Sequence, residues 1–362
     1  MPPQTHENSS PAGVAITSPI TKYPSKRDIE FKSAWNWLEG KREDDGVYPY
    51  FRIHDKLYDL SGFVDSHPGG TFWLKETQGM DITESFECSH FTQLPENLLK
   101  KFYVKDITTP RTTAFTFKDD GFFRTLKRKV KPIWEKNGGS APTVQMKFII
   151  DSLVTAFFIF MFSAARFNNY YFALIAGLLL EFIMTVAHNF FHLKDNWRMF
   201  LFDLSTLSTR DWRISHALSH HIYPNTIYDF EISGFEPVFQ FLPSKNKSFL
   251  YRILLIPKIC FFMSINLHLE WVKSLIQVYR KERQFYIPDL FPIFQLVAMV
   301  YINGSFWMAL KLWLAIHVTA NFILHFTGVQ AAHHHQHMFH EGDTYPDDKD
   351  WGVLQVIATR ER

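Results

Sequence analysis

Histidine is the residue type through which this chain can do chemistry. Its 17 copies fall into a few short places rather than spreading over 362 residues. "DSHPGG" places His67 on a sharp Pro-Gly turn at the end of a short helix, and "ESFECSH" places His90 on another helical stretch 23 positions later. Two imidazoles facing each other across a pocket can hold a heme iron axially. With both axial positions filled, such a heme carries electrons and does not itself activate a substrate. "VAHNFFHLKDNW" sets His188 and His192 four apart, one face of a helix. "RISHALSHHIYPNT" repeats the spacing with His216 and His220 and adds His221. Five neutral imidazoles on two helix ends suit a borderline metal such as iron. "VQAAHHHQHMFHEGD" adds His333, His334, His335, His337 and His340. A lone histidine in a Pro-Gly turn, or a single HxxxH pair, has an ordinary structural reading. The repetition of the pattern is what weighs against it.

The elements needed to position these residues follow from composition. Residues 1–25 are Ser/Thr/Pro-rich, without a basic start or an apolar run, and are expected to be a disordered tail. Residues 26–110 alternate short aromatic strands, turns and short helices, the pattern of an α+β domain. Residues 111–146 are polar and basic, with "KRKVK" at 127–131, and read as a linker or a membrane-surface segment. From 147 to 362 the pattern is an all-α membrane domain. Runs at 148–165 and 170–187 are each long enough to span a bilayer and form a hairpin around "RFNN". Runs at 288–310 and 312–332 suggest a second hairpin turned near Lys311. The run at 249–269 carries Arg252, Lys258 and a proline, and is expected to lie in the interface. Two complete hairpins place the histidine clusters and the basic runs on one side, which the positive-inside rule makes cytosolic. A net charge of +2 gives no case for nucleic acid. Two cysteines argue against a disulfide framework. Asp59, Asp65, Glu76, Asp81, Glu84 and Glu87 gather near the heme motif and could form an acidic rim that steers a basic partner.

"YDLSGFVDSHPGG" followed by "DITESFECSH" resembles the cytochrome b5 fold. That resemblance implies heme b held by His67 and His90. The HxxxH and HxxxHH boxes resemble those of membrane fatty-acid desaturases, and the chain after its tail resembles the insect cytochrome b5-related proteins. The resemblance implies two non-heme irons, oxygen activation, and removal of hydrogen from a fatty acyl-CoA or acyl lipid. The expected iron ligands are His188, His192, His216, His220, His221 and His333, with no catalytic residue beyond the ligands. His334, His337 and His340 are weaker candidates. Asn225, Asp229 and Glu231, in "HHIYPNTIYDFE", are candidates to fix imidazole tautomers. The reaction consumes two electrons singly, so a tethered heme raises the effective donor concentration. No GxGxxG fingerprint is present, which makes NADH-cytochrome b5 reductase the expected separate partner. The resemblance also implies the endoplasmic reticulum, with the heme domain cytosolic. The family's last box is an HxxHH or QxxHH beyond a stretch resembling "DWGVLQVIAT", and the sequence reaches Arg362 directly after that stretch. The expectation is therefore an incomplete di-iron site. Lipid hydroxylation by the same iron chemistry and a non-catalytic tethered electron carrier stand as alternative functions.

Overall fold

Ser33 accepts a hydrogen bond from the Asn36 backbone N–H, and Gly46 closes the same helix in the left-handed conformation, so α1 runs Ala34–Asp45. The computed structural model describes residues 20–92, 94–236, 239, 248–329 and 347–359. Strands β1 (Phe51–Ile53) and β2 (Lys56–Tyr58) form an antiparallel hairpin, and β3 (Tyr103–Asp106) pairs with β2. Between β2 and β3 come a 3-10 turn at Ser61–Ser66 and helices α2 (Thr71–Thr77), α3 (Thr83–Ser89) and α4 (Leu94–Leu99). Helix α5 (Phe122–Lys136) follows.

The next stretch is apolar. Helix α6 (Val144–Phe167) ends on Asn168 in the left-handed conformation, and the Asn169 side chain caps α7 (Tyr170–Phe191). A 3-10 segment Trp197–Leu204 and the short α8 (Thr209–Trp212) lead into a π-helical segment, Arg213–His220. Helix α9 (Phe230–Ser233) precedes α10 (Phe249–Tyr279), α11 (Phe291–Asn303) and α12 (Phe306–Ile323), and α13 (Trp351–Ile357) closes the described chain.

The chain divides into two compact units, one of residues 1–139, 214–246 and 332–362, the other of 140–213 and 247–331. The first is built on one apolar core that includes Trp37, Leu38, Phe51, Phe72, Phe115, Tyr223, Tyr228, Trp351 and Leu354. Its buried indoles reach across long sequence distances: Trp37 Nε1 donates to Tyr228 O at 2.8 Å, and Trp351 Nε1 donates to Ile222 O at 2.9 Å. The HxxxHH segment and residues 347–359 thus share a core with the N-terminal α+β domain.

The second unit is a helical bundle. Small residues such as Ala173, Ala176, Gly177 and Ala187 let α7 approach its neighbours, and a Cβ at Gly177 would lie 2.6 Å from Ile316 O. Among the described residues, four helical stretches are long and apolar enough to cross a membrane: Val144–Phe167, Tyr170–Phe191, Pro257–Tyr279 and Phe306–Phe326. The expected number of spans is met, but two of them differ from the sequence reading. The run 288–310 is not one helix, because Gly304 takes φ 78° and the Ser305 hydroxyl accepts from Met308 N–H, starting α12 there. The hairpin turn is therefore at Gly304–Ser305 rather than Lys311, and α11 is too short for a bilayer core of about 30 Å. The run read as interfacial belongs to α10, whose 31 residues outlast the segment carrying Arg252 and Lys258.

Candidate metal centres

His67 sits where the Ser61–Ser66 turn ends, and His90 caps the C-terminus of α3. His67 Nδ1 lies 3.0 Å from Gly70 O, and His90 Nδ1 lies 2.8 Å from Phe86 O. A carbonyl only accepts, so each Nδ1 carries the proton and the lone pair falls on Nε2. The two ring centres are 6.3 Å apart. Imidazoles bonded end-on to one metal at about 2 Å would hold ring centres about 6 Å apart, so the pair fits a shared axial iron. Phe63 lies edge-on to His67 at 6.0 Å, and Phe86 lies against His90 at 4.7 Å. Burial lowers the His90 pKa, which keeps it in the neutral, ligating form.

The double glycine has a steric reason as well: a Cβ on Gly69 would stand 2.8 Å from His67 Cε1. Gly69→Ala is expected to tilt the His67 ring and shift a bis-imidazole absorption spectrum toward a high-spin one. An unchanged spectrum would show that the turn does not set the ring.

The acidic residues near this motif do not form one rim. Asp81 and Glu84 are buried and paired with Arg111, and Glu87 is buried among His54, Arg124 and Lys127. Asp59 and Asp65 stay exposed. Burial alone would raise the Glu87 pKa, but hydrogen bonds from His54 and Arg124 outweigh it and hold the carboxyl at about 2. A depressed carboxyl stabilises the fold above its unfolded value, and that stability is lost as pH falls from about 4.5 to about 2. Thermal melts across this range should fall more steeply for the wild type than for Glu87→Gln. Equal slopes would remove Glu87 from the account.

In the helical unit, His188 and His192 lie one turn apart at the end of α7, with their Nε2 atoms 3.1 Å apart. Neighbouring corners of an octahedral ion bonded at about 2.1 Å are about 3.0 Å apart, so the pair fits two ligands of one metal. The helix end is held by Arg213, a residue that the spacing of the box did not single out. Its side chain is fully buried, donating to Phe191 O at 2.7 Å, to Leu193 O at 2.8 Å and to Asp195 Oδ1 at 2.5 Å. Arg213→Leu orphans two carbonyls, at a cost on the order of 1–3 kcal/mol each, and should lower the thermal midpoint measured in detergent. An unaltered midpoint would refute this role.

In the first unit, the π-helical segment reshapes the HxxxHH spacing. His221 N–H bonds His216 O at 2.8 Å, an i to i+5 bond that widens the turn. In an α-helix residue i+5 points away from residue i, but here both His220 and His221 flank His216. Their ring centres lie 5.5 Å and 4.3 Å from that of His216, and the Nε2 atoms of His216 and His221 are 2.8 Å apart. Glu231 accepts from His216 Nδ1 at 2.6 Å, and Asp229 accepts from His220 Nδ1 at 2.8 Å. His216, His220 and Glu231 also offer ligand atoms within 4.8 Å of one another. Burial would lower the His220 pKa, yet Asp229 and Glu231 carry it up to about 9. The same negative charge strengthens the ring as a metal donor. Asn225 plays a different part: in the left-handed conformation at φ 55°, it gives its backbone N–H to Asp229 Oδ2 and its side chain to Ala358 O. His333, His334, His337 and His340 lie outside the described residues.

Residues 34–108 match the cytochrome b5-like heme/steroid binding domain, and residues 167–361, more than half of the chain, match the fatty acid desaturase family. The chain belongs to the fatty acid desaturase family. It is 35% identical over 348 residues to the cytochrome b5-related protein of Drosophila melanogaster, covering 94% of this chain and 79% of that one. It is 24% identical over 249 residues to the probable Delta(5) fatty acid desaturase C of Dictyostelium discoideum, covering 61% of this chain and 52% of that one. The acyl-lipid (8-3)-desaturase of Mortierella alpina is 22% identical over 224 residues, or 56% of this chain and 50% of that one. No solved structure matches the chain. This desaturase-family chain is thus a lipid desaturase-type oxidoreductase with a heme-binding domain at its N-terminus and an iron cofactor in its desaturase domain.

Proposed function

We propose that the chain is a membrane fatty acyl desaturase whose own heme domain feeds electrons to a histidine-ligated iron site. Heme supplies one-electron transfer when bound, and iron supplies oxygen activation. The observation that carries this reading is that His67, His90, His216 and His220 each bond Nδ1 to a carbonyl or carboxylate. In the neutral ring this leaves the lone pair on Nε2, where a metal takes it, and at His220, whose pKa is carried up to about 9, metal binding displaces the Nε2 proton. His67 and His90 hold the heme. The proposed iron ligands are His188, His192, His216, His220, His221 and His333. Asp229 and Glu231 orient the rings of His220 and His216, and Asn225 holds Asp229 in place.

NADH-cytochrome b5 reductase is the proposed electron source, and a fatty acyl-CoA or acyl lipid the proposed substrate. The proposed setting is the endoplasmic reticulum membrane, with heme and histidine clusters facing the cytosol. Helix α5 suits that surface: Phe122, Leu126, Val130 and Ile133 are exposed at helical spacing among lysines and arginines.

The test is to purify the full chain in detergent, quantify heme and non-heme iron, and supply NADH, reductase and acyl substrate under oxygen. Heme and iron together, with a new double bond detected by mass spectrometry, support the reading. A hydroxylated product would assign lipid hydroxylation instead. Heme without iron would overturn the enzyme reading and leave a tethered electron carrier.

A further inference from the structure

The helical unit carries polar residues that the iron reading does not use. Trp313, His317, Asn321 and His325 recur every four residues on α12 and the turn after it. At 1.5 Å per residue they form a stripe about 18 Å long on one face, more than half the depth of a bilayer core. Helix α10 meets the stripe. Asn266 Nδ2 donates to His325 Nε2 at 3.2 Å, Asn321 Nδ2 donates to Ser264 O at 3.0 Å, and the His268 ring lies 5.6 Å from Trp313 and 5.8 Å from His317. Helix α11 adds Gln295, whose amide donates to Leu204 O at 2.7 Å and accepts from His317 Nε2 at 3.1 Å.

This seam is only partly satisfied. Among the described residues, Trp313 Nε1, Asn266 Oδ1 and Asn321 Oδ1 are buried without a hydrogen-bond partner, and His268, which bonds the Ile265 backbone, keeps one ring nitrogen to spare. A polar group left unpaired in hydrocarbon is costly, so intramembrane polar clusters mark ligand sites. His325 uses both nitrogens, through Asn321 O and Asn266, and His317 Nε2 is taken by Gln295. That leaves too few imidazole nitrogens for a metal ion. What remains is a neutral mixture of donors and acceptors, which a hydroxyl group answers because it both donates and accepts. A plain acyl chain has no use for these atoms. On α10, Leu269 and Val272 are 47% and 49% exposed, so the helix beside His268 turns apolar surface outward, toward lipid.

We propose that the seam between α10 and α12 binds a lipid whose membrane-embedded chain carries a hydroxyl group. Trp313 Nε1 donates to the hydroxyl oxygen, and the spare ring nitrogen of His268, whose ring lies 5.6 Å from that of Trp313, accepts its proton. The site rests on the membrane placement of these helices and not on the iron reading, so binding is the measurement. Full-length protein in detergent is titrated with radiolabelled methyl 12-hydroxyoctadecanoate and with methyl octadecanoate, which differ only in that hydroxyl. The hydroxylated ester should bind about tenfold more tightly, the effect of one or two buried hydrogen bonds. Trp313→Phe and His268→Leu should erase the preference, with helical circular dichroism and the size-exclusion profile reporting that each variant is folded. Equal binding of the two esters by the wild type overturns the proposal whatever the variants do, and so does a preference that survives both substitutions.

Discussion

Replacing His90 by alanine is expected to abolish the low-spin spectrum of a bis-imidazole heme and to strip heme from the purified chain. His90 is held from two sides, by the bond from its Nδ1 to Phe86 O and by the Phe86 ring. Alanine would remove one of the two imidazoles proposed to hold the heme iron. Losing only the hydrogen-bond partner of a ligating histidine costs about 10–100-fold in metal affinity, so losing the ligand should exceed that range. His67→Ala should behave alike, because the 6.3 Å ring separation makes the two positions equivalent toward one iron. His54→Ala is the control: its imidazole bonds Glu87 at 2.8 Å and is no part of the pair. The readout is the Soret band and heme per protein after size exclusion. A His90→Ala chain that keeps the low-spin band would remove His90 from the heme site.

The second expected result concerns iron. Asp229→Asn keeps the shape of the side chain and removes its charge. Asp229 is fully buried, and its oxygens receive His220 Nδ1, the Asn225 N–H and the Glu231 N–H. An amide offers one oxygen where the carboxylate offered two, so the His220 tautomer is no longer forced. Iron affinity should fall about 10–100-fold, with heme content unchanged as an internal reference. Glu231→Gln should act similarly through His216 Nδ1. Iron retained against a graded chelator series gives the number. Wild-type retention in both variants would show that neither carboxylate supports a ligand. The protonation of His220 should move as well. Burial persists in Asp229→Asn while the largest opposing charge is gone, so its pKa should drop from about 9 toward lower pH.

Local spacing was enough to single out the candidate metal-binding side chains. The HxxxH pair and the HxxxHH triplet are set by distances of a turn or two, over which chain geometry is nearly fixed, whereas His67 and His90 stand 23 residues apart and are marked by the Pro-Gly turn and the helical stretch that carry them. Asp229 and Glu231, 9 and 15 residues from the rings they bond, were legible through the resemblance of "HHIYPNTIYDFE" to the tail of the second box. The first hairpin was legible too, because bilayer thickness sets a minimum length, whereas the total of four agreed only because 288–310 and 249–269 exchanged roles.

Other features depended on partners far away in sequence. Hydropathy averages over Gly304, so it merged the end of one helix with the start of the next. The π-helical turn that brings His221 beside His216 has no spacing signature, since an α-helix fits the same letters. Asp81, Glu84 and Glu87 read as a surface rim because nothing local shows that Arg111 and Arg124 bury them. Arg213 is the clearest case. It lies beside the second box, yet its guanidinium closes the helix that carries the first, 22 residues earlier at Phe191. The sequence by itself determined which side chains stand at metal-ligand spacing. Only the three-dimensional structure decided which rings meet and which acceptors they face, His221 beside His216 and Glu231 and Asp229 on the Nδ1 atoms of His216 and His220, because that depends on a widened turn and on a loop folding back.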